Sequence, residues 1–172
     1  MSRGAEPGKG KPAIDPRRGA RLAAVQALYQ IALTGADPAV VIGEFLRHRL
    51  GRAIEEGGVP ESDPQLFADL VRGATAMKGD LDDMVAAVLD PDWSVERLEL
   101  LLLAILRAGA YEISARPDLP VRVAISEYVS IAAAFLGDKE TGLVNGVLDR
   151  IARSLRPDEL GEHPRGRSET AG

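Results

Sequence analysis

Arg17, Arg18 and Arg21 stand at the head of R-R-G-A-R-L-A-A-V-Q-A-L-Y-Q, a stretch that runs to Gln30 with an apolar period. On a helix, Arg17 and Arg21 are neighbours at i, i+4, and Arg18 meets Arg21 at i, i+3. Two further steps of four lead from Arg21 through Val25 to Tyr29, so the phenol falls on roughly the same side. Guanidinium groups grip phosphates through paired hydrogen bonds and stack on bases. A tyrosine ring offers a surface to an unpaired base. The chemistry of this set is capture of a polyanion, and single-stranded RNA suits it. The plain alternative is a solvated helix end beside a core-edge aromatic. Asp15-Pro16 supplies the helix start, with a carboxylate for unpaired N–H groups and a proline that needs no donor. Cations there face the positive end of the macrodipole. Folding alone gives no reason to place them so.

Catalytic chemistry finds little to work with. His48 lies on a helical pattern between two arginines and His163 lies near the C-terminus, neither with a placed nucleophile or carboxylate. Asp80, Asp82 and Asp83 lack the spacing and terminal Glu of a calcium loop and read as a solvated helix start. Gly8-Lys9-Gly10-Lys11 lacks both the Walker spacing and a preceding strand. The sequence therefore predicts a binding protein, with no enzyme activity and no cofactor or metal. One further constellation, Gly137 to Leu148, sets two glycines in a helical pattern beside Asn145. Each glycine costs about 1 kcal/mol relative to alanine, and by physics alone the segment reads as a tightly packed helix start.

The 172 residues are 45% hydrophobic but only 4% aromatic, so the core must be built from Leu, Val, Ile and Ala. Cysteine is absent, which removes disulfides and thiolate sites. The longest apolar run, Leu100 to Leu106, is too short for a bilayer, and the expectation is a soluble cytoplasmic protein. Net charge is −5, yet residues 1–21 carry six basic against two acidic side chains. That pattern describes a basic arm on an acidic body, useful either for polyanions or for solubility.

These residues need helices to position them, and the pattern supplies only helices. A first helix is expected from Pro16 to Thr34, stopped by Gly35, and a second after Asp37-Pro38. Ser62-Asp63-Pro64 opens a third, whose stripe from Leu66 to Val88 is interrupted at Gly79 and closed at Pro91. The most apolar helix starts at Ser94 and ends before Arg116-Pro117. Two more run from Val121 to Leu136 and from Glu140 to Leu155. No segment has the two-residue period of a strand. The prediction is an all-α compact bundle of six or seven helices, with a flexible basic arm over 1–14, one helical RNA-binding domain over 15–156 and a flexible tail over 157–172.

Four segments occur together in a fixed order: the arginine-rich stretch, F-A-D-L-V-R-G at 67–73, L-R-A-G-A-Y-E-I-S-A-R-P-D-L-P at 106–120, and F-L-G-D-K-E-T-G-L-V-N-G-V-L-D from Phe135. As a set they resemble the NusB family of transcription antitermination factors. The resemblance implies two helical sub-bundles, pairing with the ribosomal protein NusE, and binding to boxA-type single-stranded RNA of nascent ribosomal RNA within the RNA polymerase antitermination complex. It places the family's RNA-facing residues at Arg17, Arg18, Arg21 and Tyr29, with a further region around Lys139, Leu143 and Asn145. The chain departs from the family pattern in having Leu143 where an aromatic is frequent, Leu102-Leu103 where a polar pair is common, and Ser126 where Asn is usual. Two other readings fit the same residues. One is a NusB-like domain related to ribosomal RNA methyltransferases, non-catalytic because the sequence leaves no room for a cofactor domain. The other is a helical adaptor that forms a homodimer through its apolar faces.

Overall fold

Asp-Pro pairs start the first three helices. In the computed structural model, which describes residues 15–51 and 61–160, the Asp15 carboxylate accepts from the Arg17 N–H at 3.0 Å, Asp37 from Ala39 at 2.9 Å, and Asp63 from Gln65 and Leu66 at 3.0 and 3.1 Å. These caps open α1 (Pro16–Thr34), α2 (Pro38–His48) and α3 (Pro64–Ala76). Gly35 ends α1 in the left-handed conformation, φ 67°, that favours glycine. Four more helices follow: α4 (Lys78–Val88), α5 (Leu100–Ala115), α6 (Val121–Phe135) and α7 (Asp138–Leu155). A short α8 (Pro157–Leu160) closes the described chain. No strand occurs among the described residues, and none of their helices is long and apolar enough to cross a membrane.

The expected boundaries shift in three places. The third stripe divides at Met77, not at Gly79, and Gly79 sits inside the first turns of α4. Between α4 and α5 Asp90-Pro91 makes a turn, and beyond Ser94 only a 3-10 turn forms, Val95–Arg97. Leu98 is drawn into the core there with extended backbone, so α5 starts six residues later than expected. The tail expected from 157 is structured as far as Leu160, which is buried. Its anchor is Arg156, whose Nη2 donates to the carbonyls of Leu119 and Pro117 and whose Nη1 donates to that of Arg116. Glu159 accepts from the Val121 N–H at 3.0 Å and so caps α6. That bond and its pairing with Arg156 hold the Glu159 carboxyl below its ordinary pKa. The basic arm, Gly57 to Pro60 and the remaining tail lie outside the described residues.

Packing follows from α5, which meets α1, α3, α4, α6 and α7. Helices α1, α2 and α3 also pack on one another, as do α5, α6 and α7. This is the two-sub-bundle arrangement, with α5 shared. The sequence segments that travel together turn out to be each other's partners. Tyr111 of α5 lies in a notch at Gly73 of α3, where a Cβ would come within 2.0 Å of the ring, and its hydroxyl donates to Asp69 at 2.9 Å. Burial and this bond push the Tyr111 phenol above its usual pKa. Gly109 likewise admits Leu148 of α7, which would stand 2.8 Å from a Cβ there. Arg107 donates two bonds to Asp82, at 2.7 and 2.9 Å, so one member of the acidic knot is a structural anchor.

A methyl group at position 73 cannot be accommodated without moving the ring or the helix. Gly73→Ala should therefore destabilise the fold by about 1–3 kcal/mol, the usual cost of overpacking, despite its higher helix propensity. Urea denaturation measures this, and a stabilised variant would show that the notch is not filled by Tyr111.

Candidate nucleic-acid interface

The first two turns of α1 hold the three arginines, and the structure gives them different fates. Arg17 is exposed. Arg18 is also at the surface, where its Nε donates to Glu127 of α6 at 3.1 Å and its side chain stays 60% exposed. Arg21 is not on that surface. It is 3% exposed, and its Nε and Nη2 donate to the two carboxylate oxygens of Glu112 at 2.6 and 3.1 Å. The Tyr128 hydroxyl donates to the same carboxylate at 2.8 Å. Glu112 is fully buried, and three hydrogen bonds from two helices keep its charge there. Burial opposes charge on Arg21, but the bonds and charge of Glu112 outweigh it and raise the guanidinium pKa. Burial and the same carboxylate push the Tyr128 phenol well above its ordinary value. The expected phosphate role of Arg21 is corrected accordingly: its guanidinium already holds a carboxylate in the interior.

Tyr29, two turns further on, is half-buried. It lines a groove of about 410 Å³ between α1 and the end of α6, together with Leu22, Gln26, Leu33, Leu101 and Phe135. Arg49, just beyond α2, also borders this groove and stacks on Phe45, 4.6 Å from the ring centre. A smaller depression of about 220 Å³ continues along the same helices between Arg18, Glu127 and Ser130. Leu22 and Phe135 belong to both, so a single furrow follows α1 from Arg18 to Leu33. Its floor is apolar, and it carries two aromatic rings and bordering guanidinium groups. Sequence reasoning missed Phe135 and Arg49. Phe135 ends an apolar helix and so reads as core, yet it is 53% exposed.

The residues expected around α7 do not converge on one point. Lys139 lies over the Trp93 ring, its Nζ 4.9 Å from the centre, and Leu143 is half-buried against the core. Asn145 lines a separate depression of about 330 Å³ with Arg122, Ser126, Val129 and Asp149. Leu143 and Asn145 are two residues apart, about 200° around a helix. Leu102 and Leu103 are buried, so these departures from the family pattern belong to the core. No group of His, Cys, Asp or Glu among the described residues could hold a metal ion.

A NusB family model matches residues 18–153. The chain is 46% identical over 146 residues to the transcription antitermination protein NusB of Bradyrhizobium diazoefficiens, covering 84% of this chain and 88% of that protein. It is 44% identical over 158 residues to the NusB of Brucella suis, covering 91% and 92%. Among solved structures it resembles T. maritima NusB, with a TM-score of 0.66, 27% identity, and 86% and 99% of the two chains covered. A structure of the antitermination factors NusB and NusE in complex with double-stranded RNA matches with a TM-score of 0.62 and 26% identity, covering 80% and 96%.

The different placements of the arginines predict different costs. Arg21→Ala leaves Glu112 charged and buried without its main partner and should destabilise the fold by about 3–5 kcal/mol. Arg17→Ala should stay within about 0.5 kcal/mol of the parent. Chemical denaturation of both variants checks this. Equal stabilities would put Arg21 back at the surface.

Proposed function

The chain belongs to the NusB family, and from that premise we propose that it is an antitermination factor that pairs with NusE and binds boxA-type single-stranded RNA of nascent ribosomal RNA transcripts along the α1 furrow. The observation that carries this reading is the furrow itself, with Tyr29 and Phe135 on its walls and Arg18 and Arg49 beside them. An apolar aromatic floor accepts unstacked bases, and flanking cations neutralise the backbone. Arg17 and Arg18 are assigned to phosphates and Tyr29 to a base. Arg21 supports the surface from within. A solved relative of this fold occurs with NusE and double-stranded RNA, which supports NusE and RNA as partners.

Lys139, Leu143 and Asn145 form the second part of the proposal. Lys139 follows Phe135 by four residues across the turn between α6 and α7, so it can extend the furrow's cationic border. Asn145 lines a separate depression with Arg122 of α6 and would make a separate contact. Delivery to the RNA polymerase antitermination complex follows from the same reading. It requires no catalysis by this chain, and transcription antitermination, the role of its named relatives, is not a catalytic one.

Titration of a boxA RNA with and without NusE tests the proposal. Binding should tighten with NusE present and weaken as salt rises. Arg17→Ala and Arg18→Ala should each flatten the salt slope by roughly 0.7. Tyr29→Leu should lose roughly 1–3 kcal/mol of binding at unchanged stability. A scrambled RNA that binds equally well under every condition would overturn the sequence-specific reading, and no RNA binding at all would favour a helical adaptor.

A further inference from the structure

The buried ion pair does not end at Arg21. Its Nη1 lies 3.8 Å from the Glu127 carboxylate, whose other oxygen accepts from Arg18 Nε at 3.1 Å. Charges therefore alternate from the interior to the surface: Glu112, Arg21, Glu127, Arg18. Exposure rises along the same path, with side chains 0%, 4%, 14% and 60% exposed. Glu127 is thus fixed from behind by a guanidinium that cannot leave, and it holds the next guanidinium in front. It holds that group by Nε alone. The two terminal nitrogens of Arg18, the ends with which arginine grips a phosphate, make no bond to Glu127, and the side chain borders the furrow beside Glu127 and Phe135.

We propose that Glu127 is a positioning residue, the carboxylate that pre-sets Arg18 to receive a backbone phosphate of RNA lying in the furrow. This rests on the RNA-binding reading above and adds the element that orients its exposed arginine. A flexible arginine loses rotamer freedom when it binds, and one already held loses less. The obvious opposing role for a carboxylate beside a polyanion site is repulsion and competition for Arg18. The two roles predict opposite signs. Removing a negative charge next to bound phosphates strengthens attraction on Coulomb grounds, so weaker binding by such a variant is the mark of lost positioning.

The experiment is a double-mutant cycle on RNA affinity, using the full chain with NusE and a boxA RNA. Glu127→Ala should bind roughly two- to tenfold more weakly than the parent, the range expected for re-immobilising one long side chain. In the Arg18→Ala background the same substitution should cost nothing further, because Glu127 acts through Arg18. Glu127→Gln keeps an oxygen that can accept from Nε and should lie between Glu127→Ala and the parent, which also serves if the alanine variant does not fold. Tighter binding by either variant, unchanged binding by Glu127→Ala, or an equal loss with and without Arg18 would overturn the inference. If Arg18→Ala itself binds like the parent, the RNA reading of this furrow fails as well. If Arg18→Ala weakens binding and Glu127→Ala does not, only the positioning role fails.

Discussion

A carboxylate with no access to water sits at the centre of this molecule. Glu112 lies on the buried face of α5, and an unpaired charge there would cost several kcal/mol. Arg21 from α1 and Tyr128 from α6 satisfy it, and the geometry of a two-pronged guanidinium bond leaves little freedom. Sliding α1 by one residue would move Arg21 about 1.5 Å along the axis and about 100° around it, stranding both charges. Hydrophobic contacts among Ala20, Ala23, Ala24 and Ala27 are small and smooth, and they tolerate sliding better. The ion pair thus contributes register more than net stability. Register matters because the furrow consists of α1 side chains opposed to the end of α6.

The same constraint explains why motif residues that look functional can be structural. The Y-E pair at 111–112 splits its work: Tyr111 fills the notch at Gly73 and donates to Asp69, while Glu112 faces Arg21. Adjacent residues on a helix point about 100° apart, so one dipeptide ties α5 to α3 and to α1. The resemblance of the whole chain to a family therefore lives largely in contacts that assemble the bundle.

Much of the fold was legible because it rests on local chemistry. The carboxylates of Asp15, Asp37 and Asp63 cap helices as their position before proline implies. Asp90-Pro91 instead follows the end of α4 and makes a turn. The site was less legible. Helical spacing gives angle around an axis and rise along it but not which other helices cover each position, so Arg17 and Arg21 read as equivalent neighbours. Only the assembled bundle shows that one lies at an open end and the other under α6. The decisive partner, Glu112, is 91 residues away, beyond any spacing rule. Phe135 was invisible for the opposite reason, an exposed ring at the end of an apolar run.

An acidic chain with a cationic furrow has a further property. The net charge of −5 opposes indiscriminate contact with RNA over most of the surface, since like charges disfavour wrong encounters at modest salt. Attraction survives only where cations are gathered, and a dense array of free arginines would attract any polyanion. On the RNA-binding proposal, with one arginine buried and a second held by Glu127, the furrow would offer few phosphate contacts, in fixed places beside two aromatic rings. Affinity drawn from a few oriented phosphates depends strongly on how bases fit the floor between them. If the proposal holds, a site built this way would favour the register of its RNA over sheer strength of binding and would leave room for a protein partner to supply the remaining affinity.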